Sequence, residues 1–136
     1  MKFFLVVFRE LFQEILGQVP GVGFQQVRPG NRHSYREFSI TIDPELFGLG
    51  RDELALALAA EKVDTRKYYQ PPIHKQTAYC CYYDGRPLPN TDWLSSHSLS
   101  LPMWSNMSSE VAQGICEAIQ RIYKNASSIR RQLAKK

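Results

Sequence analysis

The sequence predicts an α+β fold: a small antiparallel or mixed sheet covered on one face by helices, with long helices at the N- and C-terminal ends. Three observations carry this. Lys2 to Leu16 places Phe4, Phe8, Leu11, Phe12 and Ile15 at helical spacing. Tyr35 to Ile42 alternates Phe38, Ile40 and Ile42 with Glu37, Ser39 and Thr41, which predicts a strand with one buried and one wetted face. From Ser108 onward, Val111, Ile115, Ile119 and Ile122 repeat at helical spacing, and Ala126, Ile129 and Leu133 prolong the stripe. The 136 residues, 43% hydrophobic and 22% charged, suit one soluble domain over 1–136 with a modest core and a basic helical tail over 124–136.

Each element has a local reason. Gly17 is placed to stop the first helix. The opening Met1-Lys2-Phe3-Phe4-Leu5-Val6-Val7-Phe8 has the flavour of a secretion signal. Its apolar core falls short of the roughly 7–15 residues of such a segment, and no small-x-small cleavage site follows. No apolar run approaches the ~20 residues of a membrane-spanning helix. Val22 to Val27 reads as a first strand and Arg28-Pro29-Gly30-Asn31 as a turn. Asp43-Pro44 breaks the second strand. Arg51 to Glu61, rich in alanine and leucine, is helical, with Leu54, Leu58 and Glu61 on one face. Val63 to Tyr69 reads as extended, Cys80 to Pro89 as a loop, Asp92 to Ser96 as a short helix, and Ser98 to Leu101 as a strand. Ser108 can cap the last helix, and Glu110 in its first turn favours the helix dipole.

Cys80, Cys81 and Cys116 are odd in number, two are adjacent, and none has metal-ligand spacing, so no metal site is expected. Reduced thiols in a cytoplasmic protein are the expectation. Of the net charge of +4, the tail alone supplies Lys124, Arg130, Arg131, Lys135 and Lys136 with no acid. Without aromatic interleaving or a nucleic-acid motif, that tail reads as a solvated helix extension, and neither nucleic acid nor a membrane is an expected partner.

Thr65 to Tyr79, TRKYYQPPIHKQTAY, bears most on function. Pro71 and Pro72 hold the backbone away from helix, which sets Tyr68, Tyr69 and His74 on a rigid, irregular segment. Strand alternation would bury one tyrosine and expose the other. His74 reads equally as a cleft residue or as a cap on the following turn. Arg36 could clamp a carboxylate or phosphate, although a surface arginine at a strand start is the plainer account. Trp93 and Trp104 read as core or interface anchors. No Gly-rich phosphate loop, G-x-S-x-G elbow or metal cluster is present, and no residue is assigned a catalytic role.

The order YY-x-PP-x-H (Tyr68 to His74), LP-x-T-x-x-L (Leu88 to Leu94), then SLP (Ser100 to Pro102) and a helix resembles the C-terminal region of the DegT/DnrJ family. Those are pyridoxal-phosphate-dependent sugar aminotransferases of nucleotide-sugar and antibiotic-sugar pathways. The resemblance runs from near Arg9 to about Tyr123 and corresponds to the last third of a family member. It implies the small domain of a fold-type I aminotransferase, with the first helix bridging to a large domain. It tips His74 towards the cleft. His33 to Phe38, HSYREF, resembles the family's H-x-Y/W-H/W-x-Y/F segment, which implies His33 and Tyr35 at the cleft edge; Arg36 departs from the more usual histidine or tryptophan. The implied substrate-binding set is His74, His33, Tyr35, Arg36 and Tyr69.

In the whole enzyme, the resemblance implies, an amino group moves from a donor such as glutamate to a nucleotide-linked keto sugar, and the small domain supplies cleft-wall and dimer contacts. Pyridoxal phosphate belongs to that parent enzyme. The aldimine lysine, the acid on the pyridine nitrogen and the phosphate cup come from the large domain, and Lys62, Lys67 and Lys75 match none of them. None is therefore expected bound to this chain alone. A homodimer through the apolar N-terminal helix is expected, because Phe3 to Phe8 exceed one helical stripe. Two alternatives stay open: an interaction or regulatory module derived from the fold, and part of a pyridoxal-dependent sugar dehydratase.

Overall fold

Phe38, Ile40 and Ile42 are buried on one face of β2 (Phe38–Ile42), while Ser39 and Thr41 on the other are half-buried. This is the alternation expected of a strand over an apolar core. In the computed structural model, which describes residues 2–135 and the side chains of 6–135, β2 is the middle of a three-stranded antiparallel sheet. β1 (Val22–Phe24) pairs Phe24 with Ile40, and β3 (Ser98–Leu101) pairs Leu99 with Ile40 and Leu101 with Phe38.

The helices close over this sheet. α1 (Lys2–Leu16) buries Phe8, Phe12 and Leu16, and the Phe12 ring stacks on Phe38 with centroids 5.2 Å apart. α1 packs along α5 (Ser109–Lys124), which buries Ala112, Ile115, Ile119 and Ile122. Ser108 caps α5, its Oγ accepting from the Val111 amide at 3.3 Å. α3 (Arg51–Ala60) adds Leu54 and Leu58 to the core. Each such side chain contributes on the order of 1.5–3 kcal/mol by leaving water.

Asp43 ends β2 by capping the short α2 (Pro44–Phe47), its carboxylate accepting from the Glu45 and Leu46 amides. Gly48 terminates α2 at φ +88° and lies against Ala126. At Gly21, φ +84°, a Cβ would meet the Phe47 amide nitrogen at 2.6 Å, so only glycine lets β1 start beside α2.

Four expectations are corrected. The second strand starts at Phe38 rather than Tyr35, because Tyr35 adopts φ +47° and turns the backbone out of the strand. β1 stops at Phe24, so its pairing with β2 ends at Ile40 although β2 itself runs from Phe38. Val63 to Tyr69 is not a strand: only Arg66 bridges to Ser100, with backbone bonds of 3.0 and 2.8 Å. The terminal helix breaks at Asn125, whose amide side chain returns to the Arg121 carbonyl at 2.8 Å, and α6 (Ala126–Leu133) begins a separate axis. Among the described residues no helix is long and apolar enough to cross a membrane.

Candidate functional site

The two prolines do what their chemistry requires. After the Arg66 bridge the chain runs irregularly through Tyr68 and Tyr69, and the following Pro72 is buried. A single 3-10 turn, Ile73–Lys75, then aims His74 back towards α4 (Pro89–His97). Between the two lies a cleft of about 600 Å³. Tyr68, Tyr69, Tyr79, Tyr82, Tyr83 and His74 form its aromatic walls; Pro72, Ile73, Leu88 and Leu94 add aliphatic surface, and Thr91 and Ser95 add hydroxyls.

The His74 side chain is only 9% exposed. Its ring lies 4.8 Å from that of Tyr83, and Nε2 is 3.3 Å from Asp92 Oδ1. The same buried oxygen receives Lys75 Nζ at 2.6 Å. The Lys75 hydrogen bond and the Lys75 charge outweigh the opposing effect of burial and hold the Asp92 carboxyl below its usual range. His74 is thus neither the freely exposed cleft side chain nor the backbone cap that the sequence left open. It lines the cleft with one face and is tied to the first turn of α4 through Asp92.

The wall carrying Tyr68 and Tyr69 is held from behind. Arg51, 3% exposed, donates to the Ser95 and Ser98 carbonyls, each at 3.0 Å, and to Gln70 Oε1 at 2.7 Å. Its Nε faces Asp52 Oδ1 at 2.9 Å, and that carboxylate also holds Lys67 Nζ at 2.5 Å. Ser95 Oγ donates to the Tyr69 carbonyl at 2.8 Å. Sequence reasoning missed Arg51, because an arginine in the first turn of a helix looks like a solvated surface charge. The only available signal was its place opposite the helix-dipole preference.

The five sequence-predicted residues do not all meet. His74 and Tyr69 share the cleft. Tyr35 is 5% exposed and joins the core: its ring carries the Arg9 guanidinium at 5.5 Å and lies near Phe38. Tyr35 lines, with Arg9 and Gln13, a different hollow of about 490 Å³. The Tyr35 hydroxyl, with Glu10, raises the Arg9 pKa against the opposing effect of burial. His33 accepts the Tyr35 amide on Nδ1 at 2.9 Å and so braces the backbone there. Arg36 lines a third hollow of about 260 Å³ with Glu37, Asp64, Arg66 and Trp104. Strand alternation also failed for the tyrosine pair, since both Tyr68 and Tyr69 are exposed where no strand forms. Trp93 and Trp104 are half-exposed rather than core. Among the described residues no group of three His, Cys, Asp or Glu side chains could hold a metal ion.

The fold has counterparts among known proteins. The family model described as the DegT/DnrJ/EryC1/StrS aminotransferase family matches residues 8–120. A DegT DnrJ EryC1 StrS aminotransferase from Brucella abortus is 29% identical, with a TM-score of 0.76 over 90% of this chain and 31% of that one. DesI, solved in the presence of its TDP-sugar product, is 25% identical, with a TM-score of 0.78 over 97% of this chain and 33% of that one. DesV of S. venezuelae, at 22% identity and a TM-score of 0.78, shares the fold over 90% of this chain and 32% of its own. The chain spans about a third of the length of these structures.

Proposed function

Because the chain belongs to the DegT/DnrJ/EryC1/StrS aminotransferase family, we propose that it acts as the small domain of a pyridoxal-phosphate-dependent aminotransferase working on a nucleotide-linked keto sugar. Its share is the wall of the substrate cleft. The single observation that carries this is the pairing of His74 and Tyr69 on one aromatic cleft of about 600 Å³. His33 and Arg36 border the same end of β2 and are proposed to meet substrate only where a further part of the enzyme closes over them. The exposed thiols Cys80 and Cys81 suit a reducing cytoplasm.

The residues present do not fit pyridoxal phosphate itself. Among the described residues no lysine lines the cleft. Lys75 is engaged by Asp92 at 2.6 Å and Lys67 by Asp52 at 2.5 Å, so neither amine is free and desolvated as an aldimine lysine must be. What this chain's own groups can do is orient. The tyrosine hydroxyls, Thr91 and Ser95 offer hydrogen bonds to a sugar, and the His74 imidazole, fixed by Asp92, presents one edge to whatever enters.

The test separates holding the cofactor from shaping the cleft. Pyridoxal phosphate is added to the purified chain and any Schiff base is trapped with borohydride. Dispersed, substoichiometric labelling is the expected result. One lysine labelled stoichiometrically, together with amino transfer to a keto sugar, overturns the division of labour. In an enzyme containing this domain, His74→Ala should lower turnover or substrate affinity.

A further inference from the structure

β1 has a neighbour on one side only, because the sheet runs in the order β1-β2-β3. The Asp43 amide donates to the Gly21 carbonyl at 2.8 Å, which turns Gly21 and, two residues on, Gly23 towards β2. By the same alternation the peptide groups of Val22, Phe24 and Gln26 face outward. Val19 takes the Val22 amide at 3.2 Å. Among the described residues no hydrogen bond ties the backbone of Gln25 to Val27 to the rest of the chain. Open edges are commonly guarded by a charged side chain or a proline, and Val22 to Val27, VGFQQV, has neither. Beside this edge lies the hollow of about 490 Å³, where Arg9 and Gln13, one turn apart on α1, face Phe24 to Val27 and Tyr35. Arg9 is fixed over the Tyr35 ring, donates to the Tyr35 hydroxyl at 3.4 Å and pairs with the exposed Glu10 at 2.9 Å, while its buried Nε has no partner. Gln13, Gln25 and Gln26 add side-chain amides, which both donate to and accept from peptide groups. Among the described residues no Asp or Glu lines the hollow, and residues 18–36 carry Arg28, Arg32 and Arg36 with no acid.

We propose that the β1 edge and the Arg9 hollow form one docking site for an extended, acidic segment of a second protein. The segment adds a strand along Phe24 to Val27 and sets a carboxylate against Arg9. In such a mode main-chain hydrogen bonds supply the affinity and a side-chain contact supplies the selection. Charge decides against a second copy of this chain, since Val22 to Val27 paired with its own twin brings no acid to Arg9. The hollow shares no lining residue with the tyrosine cleft, so the proposal stands apart from the substrate reading.

The experiment titrates the whole, isotope-labelled chain with a capped peptide of alternating threonine and glutamate and with its glutamine-for-glutamate analogue. Free glutamate and oligothymidylate are the two further probes. The acidic peptide should shift the Phe24 and Gln26 amides and slow their hydrogen exchange, the signature of a newly paired edge. The glutamine analogue should bind at least about tenfold more weakly, the scale of one lost charge-assisted hydrogen bond. Arg9→Gln should erase that preference. Gln26→Pro should weaken both peptides alike, because it deletes an outward amide. Gln26 is exposed and bonds to nothing among the described residues, so its fold should persist, and unshifted Phe12 and Phe38 resonances would verify that. Equal affinity for the two peptides overturns the proposal, as does silence from both. Free glutamate or oligothymidylate shifting the same amides more strongly than the acidic peptide also overturns it. Concentration-dependent protection of Phe24 and Gln26 without any peptide would give the edge to a second copy of the chain and overturn it likewise.

Discussion

His74 joins two roles in one side chain. Its ring is packed on Tyr83 and its Nε2 faces Asp92, so replacing it with alanine opens a small gap behind the cleft wall. His74→Ala should therefore lower stability by about 1 kcal/mol, more than a free surface residue and less than a core one. Thermal unfolding of the purified variant checks this, and an unchanged melting temperature would show the ring to be unpacked. Cys116 makes a sharper statement at the same scale. Burial, with a smaller effect of Glu117, pushes its thiol up from 9.0 to about 12. The unfolded chain ionises this thiol above pH 9 while the folded one keeps its proton. Stability is then whole below pH 9 and falls as pH rises towards 12, by about 1.4 kcal/mol per pH unit. Urea unfolding at pH 8 and pH 10 should reveal that loss in the parent, with a shallower slope in Cys116→Ala.

At the scale of elements, the periodic segments were legible and the irregular ones were not. Phe38, Ile40 and Ile42 announce β2 because alternation and burial coincide there. Ser108 announces α5 because a cap has one chemistry and one position. Val63 to Tyr69 looked like a strand because its residues favour extended backbone, but a strand also needs a neighbour to pair with. The sheet offers it only Ser100. What places that segment is Arg51, a buried charge whose partners lie 19 and 44 to 47 residues away, a distance no local pattern reports. The site was legible to the same degree: His74 and Tyr69 come from one rigid stretch and arrive together. Tyr35 left the set because its positive φ turns it into the core. Arg51→Met should cost about 2–4 kcal/mol, since it strips a charged donor from two backbone carbonyls and from Gln70. Gln70→Leu touches only the last of these, but it leaves one nitrogen of the buried guanidinium without its acceptor and should cost about 1–2 kcal/mol. Hydrogen exchange at the Arg66 amide, bonded to the Ser100 carbonyl at 3.0 Å, should quicken in Gln70→Leu. Equal stability of Arg51→Met and the parent would remove Arg51 from this role.

At the scale of the whole molecule, the outer side of the N-terminal helix is the surface on which association can be tested. α1 sends Phe8, Phe12 and Leu16 into the core, which leaves Val6 at 37% and Val7 at 47% exposure on its outer side. The side chains of Phe3, Phe4 and Leu5 lie outside the described residues. An apolar outer face on a helix whose inner face is already satisfied favours association, because covering it releases water without disturbing the fold. We expect the chain to self-associate through this face. Phe8 cannot test that, since at 2% exposure a lysine there would break the core against α5 and report unfolding instead. Val6→Glu and Val7→Glu are the discriminating changes. Each places a charge on the outer side alone, where substitutions move stability by no more than about 0.5 kcal/mol. Sedimentation of the parent should show concentration-dependent association, and the double variant should sediment as a monomer with its melting temperature preserved at low concentration. A parent that remains monomeric at high concentration, or a double variant that associates as strongly as the parent, would place the interface elsewhere on the molecule.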